Sequence, residues 1–396
     1  MENSPISVTL LFLICKVTLG AKPHPLSDEY ISQLNAKQSL WMAGSNFEFN
    51  NDPKMWSYVK KMAGGTLIHR QSNRSTRSNL RMTGSYDIKV TDIPEMFDAR
   101  EKWPNCTSIG QVWDQGACGS SWAIAAVSAM SDRICIHSNF TDRPILSPED
   151  LMSCCTDCRY GCDGGYPFAA WEYWFTNGIT TGGAYNSTGG CKAYTNQPCG
   201  HTKSSTLTLC STLEPACIPN CQRTCDAHSE VNVDSYDETL YFGFEPYENL
   251  YCDTTQSCIE QLKYEIMTNG PVEATFDVYA DFLSYKGGIY STVDLSEFVS
   301  STSAKLIGWG IENNQSYWLG VNSWNTEWGE NGLFKFLMLQ PFQMLESKIV
   351  AAMPNFARSK MDSRPRNNAF KIKNARLRVF SFLIILKIVW LARFCI

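Results

Sequence analysis

Apolar residues recur at helical spacing in the first half of the chain. Residues 121–136 carry apolar side chains every three or four positions, which predicts a helix: Ile124, Val127, Met130 and Ile134. Residues 147–150 read Ser-Pro-Glu-Asp, which combines a capping serine, a proline at the first helical position and acids in the first turn. This combination predicts the start of a second helix.

Two features precede these helices. Residues 24–47 are expected to form a short, separate helical segment, because Ser27 can cap a helix that carries Tyr30, Ile31 and Leu34. Residues 73–79 are polar and basic, which is typical of an exposed linker that proteases can cleave.

The pattern changes at about residue 246. Residues 272–278, 317–322 and 333–337 are short runs rich in β-branched and aromatic side chains, separated by Gly, Asn or Glu, and they predict strands. A helical half beside a strand-rich half predicts an α+β fold with two lobes.

Composition narrows the class of protein. The chain has 396 residues, of which 44% are hydrophobic, so it can bury a substantial core. Its net charge of −5 argues against nucleic acid as the main partner. It contains 17 cysteines, and those between residues 106 and 258 are clustered. A zinc cluster is compatible with the spacings, but the spread of the cysteines favours disulfides formed in an oxidising compartment.

Both ends of the chain differ from its middle. Residues 8–15 are apolar, too few to span a bilayer, and Gly20 follows, which predicts a signal peptide over residues 1–20 and a secreted or lysosomal protein. Five Asn-x-Ser/Thr motifs permit glycosylation: Asn73, Asn105, Asn139, Asn186 and Asn314. Residues 358–396 form a basic and apolar tail. We favour a disordered or non-native tail over a segment that contacts a membrane, because charges interrupt its apolar run.

One segment of the helical half carries a recognisable motif. Residues 115–122 read Gln-Gly-Ala-Cys-Gly-Ser-Ser-Trp, which resembles the active-site segment of the papain family of cysteine peptidases, and the resemblance is closest to its cathepsin B branch. Further matches lie at residues 24–29, 41–47, 97–100, 131–136, 162–167, 269–273 and 322–326. The resemblance implies a papain-like fold, with a propeptide (21–92), a helical, disulfide-rich lobe that includes an occluding loop (93–245) and a β-barrel lobe (246–357).

The resemblance also implies six disulfides and leaves three cysteines without an assigned partner. The implied pairs are Cys106–Cys135, Cys118–Cys162, Cys154–Cys221, Cys155–Cys158, Cys191–Cys225 and Cys199–Cys210. Three cysteines have no counterpart in the family. Cys252 and Cys258 are close enough to close a small loop, which would leave Cys217 unpaired.

The catalytic positions depart from the family pattern. Ser121 stands where the family has its nucleophilic cysteine, and Thr302 stands where it has its histidine, six residues before Gly308. Neither hydroxyl can replace a thiolate and its base at neutral pH. Serine at a helix start is also a good N-cap, which is the role we favour for Ser121. Lys305 lies on the opposite face of the strand from Thr302, so it is not expected to act as a base.

Other family positions keep their residues. Gln115 would complete an oxyanion hole, and Asn322 would orient the missing imidazole, although we favour a packing role for Asn322 and the neighbouring Trp324. The resemblance implies that further residues bind substrate: Gly164, Gly165, Trp324, Lys348 and His201. His201 belongs to the occluding loop, which Asp114 is expected to hold. Lys348, in place of a glutamate, would shift the preference of its pocket from basic to acidic or apolar side chains.

These observations favour a catalytically inactive homologue whose cleft binds a peptide, or a protein substrate or inhibitor, with no cofactor and no metal. Two alternatives remain at this point. Ser121 could be the nucleophile of an active hydrolase with an unrecognised base, or the chain could be a decaying gene copy without a selected function.

Overall fold

The computed structural model describes residues 22–49, 53–67, 93–214, 218–249, 256–293, 297–340 and 345–362. The expected signal peptide, the linker at 73–79, Cys217, Cys252 and the tail beyond residue 362 lie outside the described residues. No helix in these described ranges is long and apolar enough to cross a membrane.

The N-terminal segment contains two helices and a strand. Helix α1 (Asp28–Lys37) begins after Ser27, whose hydroxyl accepts a hydrogen bond from the Tyr30 amide, as the sequence predicts. Strand β1 (Trp41–Ala43) and helix α2 (Pro53–Ala63) follow. The expectation of a helical segment at 24–47 holds for α1 but was wrong over residues 41–43, which form a strand. Residues 41–43 extend the sheet, because β1 pairs with the strand Tyr285–Tyr290.

The helical lobe is built around one long, buried helix. After β2 (Phe97–Asp98) and α3 (Ala99–Lys102), helix α4 runs over Ser121–His137, close to the predicted limits. Helix α5 (Pro148–Cys154) begins as predicted, since the Ser147 hydroxyl accepts from the Asp150 amide. Helix α6 (Pro167–Thr176) packs on α4, and two short strands complete the lobe: β3 (Gly182–Gly183) and β4 (Lys192–Ala193).

The second lobe is a mainly antiparallel sheet. Its elements in chain order are β5 (Tyr247–Asn249), α7 (Gln256–Asn269), β6 (Val272–Tyr279), β7 (Tyr285–Tyr290), β8 (Phe298–Glu312), β9 (Gln315–Val321), β10 (Leu333–Leu337), β11 (Ile349–Ala351) and α8 (Phe356–Asp362). In the described part of the chain the strand order is β1-β7-β10-β9-β8-β6-β11-β5, with β2 attached to β8. The three predicted strands are thus confirmed as β6, β9 and β10.

The two lobes meet where α4 packs against β8. The Lys305 ammonium of β8 lies 2.7 Å from the Asp132 carboxylate of α4, and both side chains are buried. Lys305 therefore points away from Thr302, as predicted, and its ammonium is neutralised by Asp132.

The six disulfides implied by the family resemblance are all present. They exclude a zinc cluster at those cysteines, because each sulfur is bonded to another sulfur. Cys258 is also disulfide-bonded, to a cysteine outside the described residues. Its pairing with Cys252 stays a prediction.

The first residues of the predicted tail (358–396) are helical. Residues 358–362 continue α8, and Arg358 donates to the carbonyl oxygens of Phe175 and Thr176 at the end of α6. Its guanidinium also stacks over the Phe242 ring, 4.1 Å from the centroid. The first turn of the expected tail is therefore docked on the helical lobe.

Candidate active site

Ser121 is the first residue of α4 and is completely buried. The N-cap is Ser120, whose hydroxyl is hydrogen-bonded to the Tyr194 hydroxyl at 2.6 Å instead of capping the helix. The expectation that Ser121 acts as an N-cap was therefore wrong by one residue. Ser121 occupies the first helical position, where the positive end of the helix dipole acts on its side chain.

The Ser121 hydroxyl contacts an amide and another hydroxyl. Its oxygen accepts from the Ser303 backbone N–H at 3.3 Å and lies 3.4 Å from the Thr66 hydroxyl oxygen. Neither group can accept a proton at neutral pH. Of the chain's histidines, His137 contacts the Asn269 carbonyl oxygen and His201 lies in the loop described below. His69 falls outside the described residues.

Among the described residues, Thr302 is not one of the groups hydrogen-bonded to the Ser121 hydroxyl. It pairs with Phe276 across β8 and β6, so the two side chains share one face of the sheet. Phe276 packs there against Phe282, Phe334 and Phe336. Thr302 is fully buried, and its hydroxyl has no hydrogen-bond partner among the described groups. It is the next residue of β8, Ser303, that contacts Ser121.

Asn322 and Trp324 lie beyond the end of β9. The Asn322 amide oxygen accepts from the Ser323 N–H at 2.8 Å, and the amide nitrogen is buried without a partner among the described groups. Trp324 packs edge-to-face against Trp328 and Phe282, with ring centroids 5.0 and 5.8 Å apart. The ring contacts support the packing interpretation of Trp324, whereas a buried amide nitrogen without a partner among the described groups does not support it for Asn322.

The Gln115 side chain is held in place by both lobes. Its amide nitrogen donates to the carbonyl oxygens of Cys118 (2.7 Å) and Met62 (3.0 Å), and its oxygen accepts from the Ser323 hydroxyl at 2.6 Å. Met62 belongs to α2. The donor predicted for the oxyanion hole is therefore bound to the N-terminal segment.

Gly164 and Gly165 also contact the N-terminal segment. The Gly165 N–H donates to the Gly65 carbonyl oxygen at 3.0 Å, and the Gly165 carbonyl oxygen accepts from the Leu67 N–H at 2.8 Å. A side chain at Gly165 would meet the Trp122 ring at 2.4 Å. Gly164 adopts a positive φ of 109°, a conformation that glycine tolerates best. Residues 64–67 thus lie across the surface that the family resemblance assigns to substrate.

Lys348 does not present a free charge. Its ammonium lies 3.5 Å from the Asp277 carboxylate, which also accepts from the Ser301 hydroxyl at 2.8 Å. Both charged side chains are mostly buried. The pairing removes the reason to expect a preference for acidic side chains at this position.

His201 is buried in the loop between Cys199 and Cys210. Its ring packs against Phe47 of the N-terminal segment, with centroids 4.7 Å apart and the planes tilted by 38°, and its Nε2 lies 3.4 Å from the Asn325 amide nitrogen. Burial lowers the pKa of His201 to about 4. Asp114 holds the loop as expected, by accepting from the Cys199 N–H at 3.0 Å.

Four residues of the site were missed in the sequence: Thr66 and Ser303, which contact Ser121, Thr275, which contacts Ser303, and Asp277, which pairs with Lys348. The alternation of β8 offers a signal for Ser303, because it adjoins Thr302 and faces the opposite side of the strand. No sequence pattern indicates Thr66, which lies 237 residues before its partner Ser303. In the described part of the chain, no group of three or more His, Cys, Asp or Glu side chains is placed to hold a metal ion.

The chain is similar to known proteins over most of its length. Residues 93–353 match the model of the papain family cysteine proteases. The chain is 39% identical over 334 residues to a cathepsin B-like cysteine proteinase 6 of Caenorhabditis elegans, covering 83% of each chain. It is also 39% identical to a cathepsin B-like cysteine proteinase of Schistosoma japonicum, covering 83% of this chain and 91% of that one.

Solved structures show the same relationship. The procathepsin B S9 of Trypanosoma congolense superposes with a TM-score of 0.65 at 31% identity, covering 84% of this chain and 99% of that one. A digestive procathepsin L 3 of Tenebrio molitor shares the fold, with a TM-score of 0.52 at 19% identity, covering 82% of this chain and 88% of that one. The chain belongs to the papain family of cysteine proteases, is cathepsin B-like, and has the family's two-lobe α+β fold.

Proposed function

We propose that this protein is a catalytically inactive cathepsin B-like homologue whose cleft binds peptide without cutting it. The observation that carries the proposal is the surroundings of Ser121, whose hydroxyl oxygen contacts the Ser303 N–H and the Thr66 hydroxyl. Among the described residues, no base contacts this alcohol to remove its proton, and no imidazolium contacts it to stabilise an alkoxide.

The contacts of Gly165 and Gln115 support the proposal that the cleft binds peptide. Gly165 forms two backbone hydrogen bonds with an extended segment, and Gln115 donates to a carbonyl oxygen of the same part of the chain. A cleft that binds extended peptide therefore persists beside the substituted nucleophile. We propose that the segment of residues 21–92 acts as a propeptide and that the protein enters the secretory pathway.

Turnover measurements test the proposal directly. Purified protein incubated with a cathepsin B peptide substrate is expected to show no turnover above buffer. Loss of nucleophile and base together costs on the order of 10⁶ in kcat in a serine protease. Titratable activity that disappears in the Ser121→Ala variant would instead establish a serine hydrolase.

Restoring the family residues provides a positive test. The double variant Ser121→Cys/Thr302→His is expected to recover part of the peptidase activity, because a cysteine at the start of α4 regains a base. Each single variant is the matched control and is expected to stay inactive. Activity in the Ser121→Cys variant alone would show that a base other than residue 302 serves this site.

A further inference from the structure

Three hydroxyl-bearing residues form a pocket beside the start of α4. We call Ser121, Thr275 and Ser303 the hydroxyl pocket. The Ser303 hydroxyl is hydrogen-bonded to that of Thr275 at 3.0 Å, and the Ser303 N–H donates to the Ser121 oxygen at 3.3 Å. All three side chains are buried. Hydroxyls can both donate and accept, so the pocket suits a ligand that does the same.

Thr66 of the N-terminal segment occupies the hydroxyl pocket. Its hydroxyl lies 3.0 Å from the Ser303 hydroxyl and 3.4 Å from that of Ser121, and the residue is 6% exposed. An apolar side chain of the same shape would fill the space but leave these hydroxyls without that partner. Loss of a hydrogen bond to a buried polar group is unfavourable.

The backbone around Thr66 is bound on both sides. The Thr66 N–H donates to the Ser301 carbonyl oxygen at 3.2 Å, and the Leu67 N–H donates to Gly165 at 2.8 Å. These bonds recognise any extended chain, so they set the position of the segment and leave selectivity to the side chains.

The preceding residue must be glycine. Gly65 has a φ of +155°, and a Cβ atom there would lie 2.6 Å from the Gly119 carbonyl oxygen and 3.1 Å from the Ser121 hydroxyl. The close neighbour is backbone, which cannot move aside as a flexible side chain could. Any other residue at this position would therefore displace the segment.

The charged side chains beside the hydroxyl pocket are already paired with each other. The Lys348 ammonium is paired with Asp277, which accepts from the Ser301 hydroxyl as well. The pair offers no unmatched charge to an incoming acidic or basic side chain. The pocket therefore selects a peptide side chain by its hydrogen bonding and its size.

We propose that the cleft is selective for peptides with glycine followed by a hydroxyl residue, and that its resident ligand is this chain's own Gly65–Thr66 step. The inference rests on the proposed peptide-binding function and names its ligand class. The substituted nucleophile Ser121 takes on a binding role here, as one wall of the hydroxyl pocket.

Hydrogen exchange of the full chain tests the cis contact. In Thr66→Val the amides of residues 66 and 67 are expected to exchange about tenfold faster than in the unmodified chain, which corresponds to roughly 1.4 kcal/mol. Thr66→Ser keeps the hydroxyl and is expected to stay within about twofold. Equal protection in the valine and serine variants would overturn the proposal.

Binding of a separate peptide tests the selectivity of the cleft independently of how the N-terminal segment folds. Full-chain Gly65→Ala is expected to release residues 64–67 and to bind a fluorescein-labelled peptide of residues 60–70. The same peptide with valine in place of Thr66 is expected to bind about tenfold more weakly, since it loses the hydroxyl contacts. Equal affinity of the two peptides, or no binding of either, would overturn the inference.

Mass spectrometry of the same samples distinguishes the two proposals. An intact peptide bound with threonine selectivity supports both. A cleaved peptide that is still bound selectively removes the inactive assignment and keeps the ligand class. An intact peptide bound without selectivity removes the ligand class alone.

Discussion

Single residues decide the chemistry of this cleft. Ser121 stands at the positive end of α4, where a thiol would be shifted towards its thiolate. An alcohol is far less acidic, so the same field does not produce a nucleophile. The hydroxyl instead accepts from the backbone N–H of Ser303, the residue of β8 that follows Thr302.

Glu273 is a second residue whose burial governs its chemistry. It is fully buried in β6, and one carboxyl oxygen accepts from the Trp171 indole at 2.8 Å. Burial raises the pKa of Glu273 to about 8. The folded protein therefore keeps this carboxyl protonated at a pH where an unfolded chain ionises it.

This shift predicts a loss of stability as the pH rises from about 4.5 to about 8, at roughly 1.4 kcal/mol per pH unit from this group. Glu273→Gln is expected to remove that contribution and to flatten the curve. Urea unfolding at a series of pH values measures it. The exposed Glu101→Gln is the control, and an unchanged slope in Glu273→Gln would contradict the assignment.

At the scale of elements, the loop between Cys199 and Cys210 depends on the N-terminal segment. The His201 ring of the loop packs against Phe47, the His201 carbonyl oxygen accepts from the Glu48 N–H at 2.9 Å, and Glu48 forms a salt bridge with Lys203 at 3.1 Å. The loop and the N-terminal segment therefore bury part of each other's surface, and removal of either one would expose the other.

Acid is expected to weaken this contact. The pKa of His201 falls from 6.5 to about 4 on burial, so the folded state loses stability as the pH drops through this window, when an unfolded histidine would be charged. His201→Gln is expected to flatten the pH dependence between 6.5 and 4. Hydrogen exchange of residues 46–49 measures it, with the exposed His228→Gln as control. An identical pH profile in His201→Gln would show that another group titrates.

At the scale of the molecule, α4 joins the two lobes through buried charges. Asp132 is paired with Lys305 of β8, and the adjacent Arg133 donates to Glu265 of α7 at 2.7 Å. These side chains are almost completely buried. Buried pairs of this kind fix the relative position of elements, because a partner left alone keeps an uncompensated charge.

Lys305→Met is therefore expected to cost about 3–5 kcal/mol of stability, since Asp132 remains buried without its cation. Lys335→Met is the matched control, because Lys335 pairs with Glu312 at the same distance of 2.7 Å but is partly exposed. It is expected to cost less than about 1 kcal/mol. Denaturant unfolding compares the two variants, and equal losses would contradict the role of burial.

The sequence by itself determined the local structure and the framework. The periodicity of α4, the caps of α1 and α5 and the composition of β6, β9 and β10 depend on neighbouring residues, so each could be predicted. The family resemblance supplied the six disulfides. The tertiary structure decided the surroundings of Ser121, the pairing of Lys348 with Asp277 and the burial of His201. Those depend on segments far apart in the chain, such as Thr66 and Ser303, and only the packing of the two lobes and the N-terminal segment brings them together.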